Sequence, residues 1–349
     1  MDPAALQDRL EALGDRPAAS DAERRAAVVC DGELWRSGRR PRTQPLWIRR
    51  QRSLPRAIYA IAGVVASIVA VDHASAGLAI VLGALIALVV ESAGVPILGL
   101  FQIRRATQNV IAPAPDDGRI RLILTASIDG PQRSAFARLF EQPALARAPG
   151  PEGMLAIVLL ANAVCIAARV SGAEGTAIGA IQLVPSILLL ALAAGFVDDG
   201  LARGGTGASG LAVVSSLTKA LDASPPRSLG VEVVLAGAGS AGAAGMRAYV
   251  RWQRAGIAPE EVVVLHLGNA GGPLRYLVSD GELLPYRLHP RLIELAAAIP
   301  GARPVRGHGH SAARAARGAR WPAIALEGEP RALAAAALRL IVAIDREFD

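Results

Sequence analysis

Apolar positions concentrate in four uncharged runs arranged as two close pairs, and elsewhere the chain changes to short helical and alternating patterns. Ala57 to Val71 and Ala76 to Val90 are separated only by a four-residue stretch containing Asp72, His73 and Ser75. Met154 to Ala168 and Gly175 to Val197 form the second pair, broken by Arg169 and Glu174. A membrane-spanning helix needs about 20 apolar residues, so only the last run meets the length unaided. The second gains length if it continues past Glu91 through VPILGLF with a kink at Pro96. The first and third are short. Read as core helices, four such segments would leave little of a 349-residue soluble chain to solvate them. Two membrane hairpins, 56–103 and 153–198, are the better reading. Two hairpins also return the chain to one side, so 1–55, 104–152 and 199–349 can build a single domain.

Those remaining segments alternate helix and strand. Leu6 to Leu13 and Ala22 to Leu34 read as helices, the second started by Ser20 or Asp21 as N-cap. Pro45 to Arg50 reads as extended. Arg119 to Ala126 (RIRLILTA) has the β-branched alternation of a strand, followed by polar SIDG. After the second hairpin a glycine-rich turn, GGTGASG, leads into a helix from Leu211 to Leu221. Val231 to Gly237 is a buried strand, Ala241 to Ala255 a helix, and Glu261 to Gly268 and Leu274 to Val278 further strands. Pro290 to Ile299 is a helix, Pro322 to Leu326 a strand, and Glu329 to about Phe348 a closing helix. The strands are apolar throughout, which points to a central, largely parallel sheet with helices on both faces.

Composition narrows the class. At 52% hydrophobic and 19% charged the chain is too apolar to stay disordered, and its two cysteines, Cys30 and Cys165, cannot build a disulfide framework. The polar N-terminus reads as lacking a cleavable signal peptide. The net charge is +7, and Lys219 is the single lysine among 37 basic residues. Only 4% of residues are aromatic, too few for the stacking platforms of single-strand binding, so no nucleic-acid partner is expected. Instead Arg49, Arg50, Arg52, Arg56, Arg104 and Arg105 flank the first hairpin, whose short turn carries neither Lys nor Arg. By the positive-inside rule those flanks are cytoplasmic, which places the protein in an inner (plasma) membrane with its soluble domain inside. A lipid-headgroup or nucleic-acid patch is the other reading of this cluster.

GAGSAG at Gly237 to Gly242 is a literal G-x-G-x-x-G between a strand and a helix, the form that cradles a dinucleotide pyrophosphate. The acidic residue expected at the end of the next strand is replaced by Leu265 and His266, which argues against that use. A serine-nucleophile elbow at Ser240 fails because Ala238 occupies its first glycine position.

Six segments carry a resemblance in order. They are LGDRPAASDAERRAAVVCDGELWRSGRRPRTQPL, LILTASIDG at Leu122 to Gly130, and GASGLAVVSSLTKAL at Gly207 to Leu221. VEVVLAGAGSAGAAGMRAYV, VVVLHLGNAG and GHGHSAARAARGARWPAIAL follow. Together they resemble the two-zinc aminopeptidase family, which includes bacterial leucyl aminopeptidases, aminopeptidase Y and the glutaminyl cyclases. The resemblance implies an α/β fold, a three-layer mixed and largely parallel sheet of zinc-exopeptidase type, with the two transmembrane helical hairpins inserted between its elements. It also implies a set of roles. The first His ligand falls on Ser127, while the Asp that orients it survives as Asp129. The bridging Asp falls on Thr206, the general base on Gly239, the next Glu ligand on Ser240 and the second metal's Asp on His266. The last His falls on His310.

Serine, threonine and glycine cannot neutralise two divalent cations, and glycine cannot take a proton, so the two-zinc mechanism is expected to be lost. Asp129, His266, His308 and His310 remain as candidates for one reorganised metal site. Arg306, Arg314 and Arg317 are candidates to receive an anion, although Arg314 and Arg317 at helical spacing also suit a solvated face. Asp198 and Asp199 read as interfacial charges ending the fourth apolar helix. The expectation is thus a membrane-anchored, catalytically inactive aminopeptidase-like module without a cofactor. It would bind the lipid bilayer and a peptide, an anionic small molecule or another membrane protein. The alternative is an active membrane hydrolase with a reorganised zinc site. A transport subunit is disfavoured by the small number of helices.

Overall fold

The computed structural model describes residues 3–49, 53–116, 118–130, 134–140, 149–173, 175–202, 205–268, 272–281, 283–307 and 311–348. Two helices open the chain, α1 (Pro3–Glu11) and α2 (Asp21–Arg36). Ser20 caps α2 as expected, accepting the Glu23 backbone N–H. Strand β1 (Arg42–Arg49) follows, then the apolar pair α3 (Ser53–Asp72) and α4 (Ala74–Ser92). β2 (Arg104–Ala112), β3 (Ile120–Ser127) and the short α5 (Ala135–Phe140) precede the second apolar pair, α6 (Pro151–Val170) and α7 (Thr176–Leu201). The remainder runs α8 (Ser209–Ala223), β4 (Leu229–Ala236), α9 (Ala244–Gln253), β5 (Val262–Leu267), β6 (Arg275–Asp280) and β7 (Tyr286–Arg287). It closes with α10 (Pro290–Ala297), β8 (Arg303–Gly307), α11 (Ala312–Ala316), β9 (Ala323–Glu327) and α12 (Pro330–Phe348).

The sheet order is β1-β2-β4-β3-β5-β9-β6-β7, with β8 beside β6. Its centre, β4-β3-β5-β9, is parallel, and antiparallel strands sit at both flanks. All eight residues of β4 and all six of β5 are buried, because helices cover both faces. One face packs Leu122, Leu124, Val263 and Leu265 against α2, α8 and α12; the other packs Ile123, Val234 and Val264 against α9 and α11. The fold is therefore the expected mixed, mostly parallel α/β layer structure.

Three local readings change. The second apolar helix stops at Ser92 instead of continuing to a kink at Pro96, and residues Leu98–Phe101 form a separate 3-10 turn. The Glu91 carboxylate causes this break by accepting the backbone N–H groups of Ile97 at 3.1 Å and Gly99 at 2.8 Å. α3 and α6 are longer than their uncharged cores suggest, at 20 residues each, since Arg56 and Glu152 join as a buried ion pair inside the first turns. α9 starts at Ala244, not Ala241, because the preceding residues form a tight turn. Strands β2 and β8 have no counterpart in the alternation pattern. β2 begins with the polar RRATQN and pairs over most of its length with edge strand β1, not with the core.

Four helices, α3, α4, α6 and α7, are long and apolar enough to cross a membrane. They form a bundle whose interior is Ala60, Ala66, Val81, Leu88, Leu155, Leu159, Leu189 and Phe196. Gly77 lets α4 approach α3 closely: a Cβ there would lie 2.6 Å from the Ala66 carbonyl oxygen. A buried polar seam crosses the bundle. Ser67 donates to Asn162 Oδ1 at 2.7 Å, Asn162 to the Gly63 carbonyl at 2.8 Å, and Ser186 to Ser67 Oγ at 2.8 Å.

The bundle stands against the carboxyl edge of the parallel strands. β2 runs antiparallel to β4 with Val110 opposite Leu235, so Arg104 lies beyond the end of β4. α5, a few residues past the end of β3, packs Phe136 edge-on against Phe196 of α7 at 5.3 Å. Ser134 donates to Asp199 at 2.8 Å and the Phe136 N–H to Asp198 at 3.2 Å, so both aspartates tie the end of α7 to the domain.

Candidate functional site

In α/β folds the carboxyl edge of the parallel strands is where ligands gather, and the residues singled out in the sequence do collect there. Ser127 ends β3 and Asp129 follows it; Gly239 and Ser240 lie in the turn after β4; His266 is near the end of β5. Thr206 is exposed in the loop before α8. His308 and His310 lie outside the described residues.

The turn Gly237–Ser240 decides what this edge can do. Its four successive backbone N–H groups form an anion-binding concavity of the kind that holds phosphates. Here each is taken by a side chain of the same molecule. Gly237 donates to Asn109 Oδ1 at 3.0 Å and Ala238 to Glu23 Oε1 at 2.5 Å. Gly239 and Ser240 donate to the two oxygens of Asp129 at 2.6 and 2.8 Å. Ala238 holds φ +53°, unusual for a residue with a side chain, and this bend aims the amides inward. The GAGSAG motif is thus a genuine nest, but one filled by the Asn109 amide and the carboxyl groups of Glu23 and Asp129 where a pyrophosphate would have to sit.

Gly239, where the resemblance places the general base, has no room for a side chain. A Cβ on Gly239 would lie 2.0 Å from Ser127 Oγ and 3.2 Å from Asp129 Oδ1. Across the cleft, a Cβ on Gly130 would lie 1.6 Å from the Gly205 carbonyl oxygen, so backbone meets backbone at the mouth of the β3 end. Arg16 locks this contact from beneath. Its fully buried guanidinium donates to the carbonyls of Leu10 at 2.7 Å, Gly207 at 2.7 Å and Ile128 at 3.2 Å.

The electrostatics follow from burial. Desolvation and then the neighbouring Asp129 charge push Glu23 up to about 8, against the amides of Ala238 and Ala19 that favour its charged form. Asp129 is raised as well, chiefly by burial, with Ser240 and Gly239 opposing. The same burial lowers Arg16, partly offset by Cys30 and Asp129. This is a buried acid pair serving a turn.

The β5 end is arranged differently. His266 is buried, and its Nδ1 has no hydrogen-bond partner among the described residues; nor has Thr125 Oγ1, its register neighbour on β3. Desolvation lowers His266 to about 4, against the pull of the Asp280 charge and the Thr125 backbone. Asp280 itself is engaged by the N–H and Oγ–H of Ser311 at 3.2 and 2.5 Å. Ser311 caps α11, accepting the Arg314 N–H at 3.3 Å.

Among the anion-receiving candidates, Arg306 is exposed on β8. Arg314 donates to the Ser92 carbonyl at the end of α4 at 3.0 Å, and Arg317 stacks 3.5 Å from the Tyr286 ring centroid. Arg314 thus joins the domain to the bundle. Sequence reading missed Glu23, Arg16 and Asn109. Ser20-x-x-Glu23 looks like a capping box, but the Glu23 carboxylate reaches Ala19 and Ala238 instead of completing one.

No protein-family model and no curated protein matches the chain. Solved structures do. The Zn-dependent exopeptidase of Parabacteroides distasonis superposes with a TM-score of 0.51 at 10% identity, covering 99% of this chain and 96% of its own. The fold is that of the zinc exopeptidases. An aminopeptidase from Aneurinibacillus sp. strain AM-1 gives 0.50 at 11% identity, over 99% and 93%. The glutaminyl cyclase of Bacteroides thetaiotaomicron, solved bound to N-acetylhistamine, gives 0.50 at 10% identity, over 98% and 96%.

The described residues do not fit the two-metal centre that the sequence resemblance implies. Ser127, Thr206, Gly239 and Ser240 offer no carboxylate or imidazole, and the surviving Asp129 spends both oxygens on backbone amides. Among the described residues no three His, Cys, Asp or Glu side chains come together as a metal-holding group.

Proposed function

We propose that this chain is a membrane-anchored protein in which a zinc-exopeptidase fold has lost hydrolysis and serves as a binding or scaffold module. The observation that carries the reading is the Gly237–Ser240 turn, whose amides are taken by Glu23, Asp129 and Asn109 where an exopeptidase needs a free base. Hydrolysis requires a group that takes a proton from water, and at Gly239 there is neither a group nor space for one. The decisive assay is release of chromophore from aminoacyl anilides by the purified full chain with added zinc. Background rates are expected; turnover above background overturns the reading.

Anchoring is supported by outward-facing Ile68, Ile86, Val164 and Leu190 on the bundle, a larger apolar surface than water-exposed helices carry. The hairpins lie between β1 and β2 and between α5 and α8, as two insertions into the soluble fold. The flanking arginines favour an inner-membrane location with the domain cytoplasmic. Cys30 would have been the natural label for orientation, but it is buried and its thiol is pushed up to about 12. Val28→Cys with Cys165→Ser places a label on exposed α2 instead. An impermeant reagent should miss it in intact cells, and efficient labelling would reverse the orientation. A peptide, an anionic small molecule or another membrane protein is the class of partner we expect, with no nucleic acid and no resident metal.

One observation favours the second reading, a hydrolase with a reorganised zinc site: the buried, unpartnered Nδ1 of His266 beside Asp280. Zinc-dependent turnover abolished in His266→Ala would establish it.

A further inference from the structure

The β1–β2 ribbon carries a charge arrangement that the rest of the domain does not explain. Arg49 and Arg104 are directly opposite one another in the antiparallel register, and Trp47 and Ala106 form the next pair but one on the same face. In such a pair the Cβ atoms lie about 5 Å apart, and like charges placed opposite one another are destabilising, which an anion held between them would relieve. Neither arginine forms an ion pair among the described residues. Arg49 Nε is buried and has no hydrogen-bond partner there. Arg104 is exposed.

Next to this pair the chain exposes large apolar side chains. Phe101 is 85% and Ile103 83% exposed, and Trp47 is 70% exposed. The height of the turn that carries Phe101 is fixed relative to the bundle. Glu91 clamps the 3-10 turn Leu98–Phe101 to the end of α4 through Ile97 and Gly99, and Tyr59 of α3 donates to its other oxygen at 2.9 Å. The Arg49 side chain reaches Gly99, whose Cβ position is 4.0 Å from Arg49 Cδ. Aromatic and aliphatic residues beside arginines, at the end of an apolar bundle, are what the boundary between acyl chains and headgroups selects.

The geometry points to an anionic phospholipid site on this ribbon: Arg49 and Arg104 hold the headgroup phosphate while Trp47, Phe101 and Ile103 enter the acyl boundary. The apolar trio argues for a lipid over free phosphate, which would give those side chains nothing to cover them. The charged pair argues for an anionic lipid over a zwitterionic one. The inference rests on the bundle spanning a membrane, and the test keeps the two apart.

The full chain is reconstituted in phosphatidylcholine nanodiscs containing equal mole fractions of brominated phosphatidylglycerol or brominated phosphatidylcholine. Trp47 emission is taken as the difference between wild type and Trp47→Phe. Quenching should be about twofold deeper with the brominated anionic lipid. In Arg49→Gln/Arg104→Gln, and in Arg104→Glu, which gives Arg49 an internal partner and keeps the ribbon folded, the two lipids should quench alike. Equal quenching of wild type by both lipids overturns the headgroup site. Absent Trp47 quenching, in protein that resists alkaline carbonate extraction from membranes, overturns the whole lipid contact and leaves the membrane reading standing. Release by carbonate overturns the membrane reading itself, and this inference with it.

Discussion

The two ends of the carboxyl edge treat buried polarity in opposite ways. At the β3–β4 end, Asn109, Glu23 and Asp129 are matched to four consecutive amides, and Arg16 closes the loops beneath them. At the β5 end, His266 Nδ1 and Thr125 Oγ1 are buried without partners among the described residues. An unmade hydrogen bond costs the full desolvation of the group, whereas a made one returns most of it. The first end is therefore closed by its own side chains. The second leaves two buried polar atoms without partners among the described residues.

The largest expected effect tests the closed end. Arg16→Leu strands three carbonyls and removes the cation facing Asp129, and should cost about 3–5 kcal/mol in denaturant unfolding of the detergent-purified chain. A loss under about 1 kcal/mol would mean the guanidinium is dispensable and the end is not closed by it. Next, Gly239→Glu places a carboxylate where the resemblance puts the general base. It should destabilise by about 2–3 kcal/mol through its collision with Ser127 and should yield no peptidase activity. Neutral stability there would show that the cleft can open.

The two ends also predict opposite pH slopes. His266 has a folded value of about 4 against an ordinary 6.5, so the folded chain binds fewer protons between them. Stability present above pH 6.5 is lost as pH falls toward 4, by about 3 kcal/mol, and His266→Leu should flatten that limb. Glu23 is displaced the other way, from an ordinary 4.5 to about 8, so the folded chain binds more protons in that window. Its contribution is fully present below pH 4.5 and is lost as pH rises through 8. Glu23→Gln should reduce the alkaline slope even though the amide can accept from only one of the two backbone donors. Unfolding curves from pH 4 to 9 for the three proteins separate these effects. The smallest change is expected for Arg314→Gln, about 0.5–1 kcal/mol, from loss of its bond to the Ser92 carbonyl at the end of α4.

Much of this architecture can be read from hydrophobic pattern. The four bundle helices, the buried strands around Val231 and Val264, and the Ser20 cap all rest on local periodicity or capping chemistry, which sequence states directly. β2 does not, because its first residues are polar and its pairing is with Pro45-containing β1 at the sheet edge, where packing does not impose alternation. At the site, the sequence could show that Ser127, Gly239 and Ser240 carry no carboxylate or imidazole where the resemblance expects ligands. What fills the turn it could not show. Glu23 is 215 residues from its Ala238 partner and Asp129 is 110 from Gly239, so the filling of the nest exists only in the folded chain. The GAGSAG motif shows the limit most clearly: the sequence identifies a nest of backbone amides, and only the structure shows which side chains occupy it.

The central claim is that this carboxyl edge no longer forms a two-metal centre, and metal stoichiometry tests it most directly. The detergent-purified full chain is dialysed against trace zinc, freed of loosely bound ion and measured by elemental analysis. The account predicts no retained zinc, in wild type and in Asp129→Asn alike. Two zinc ions per chain, lost in Asp129→Asn, would contradict it.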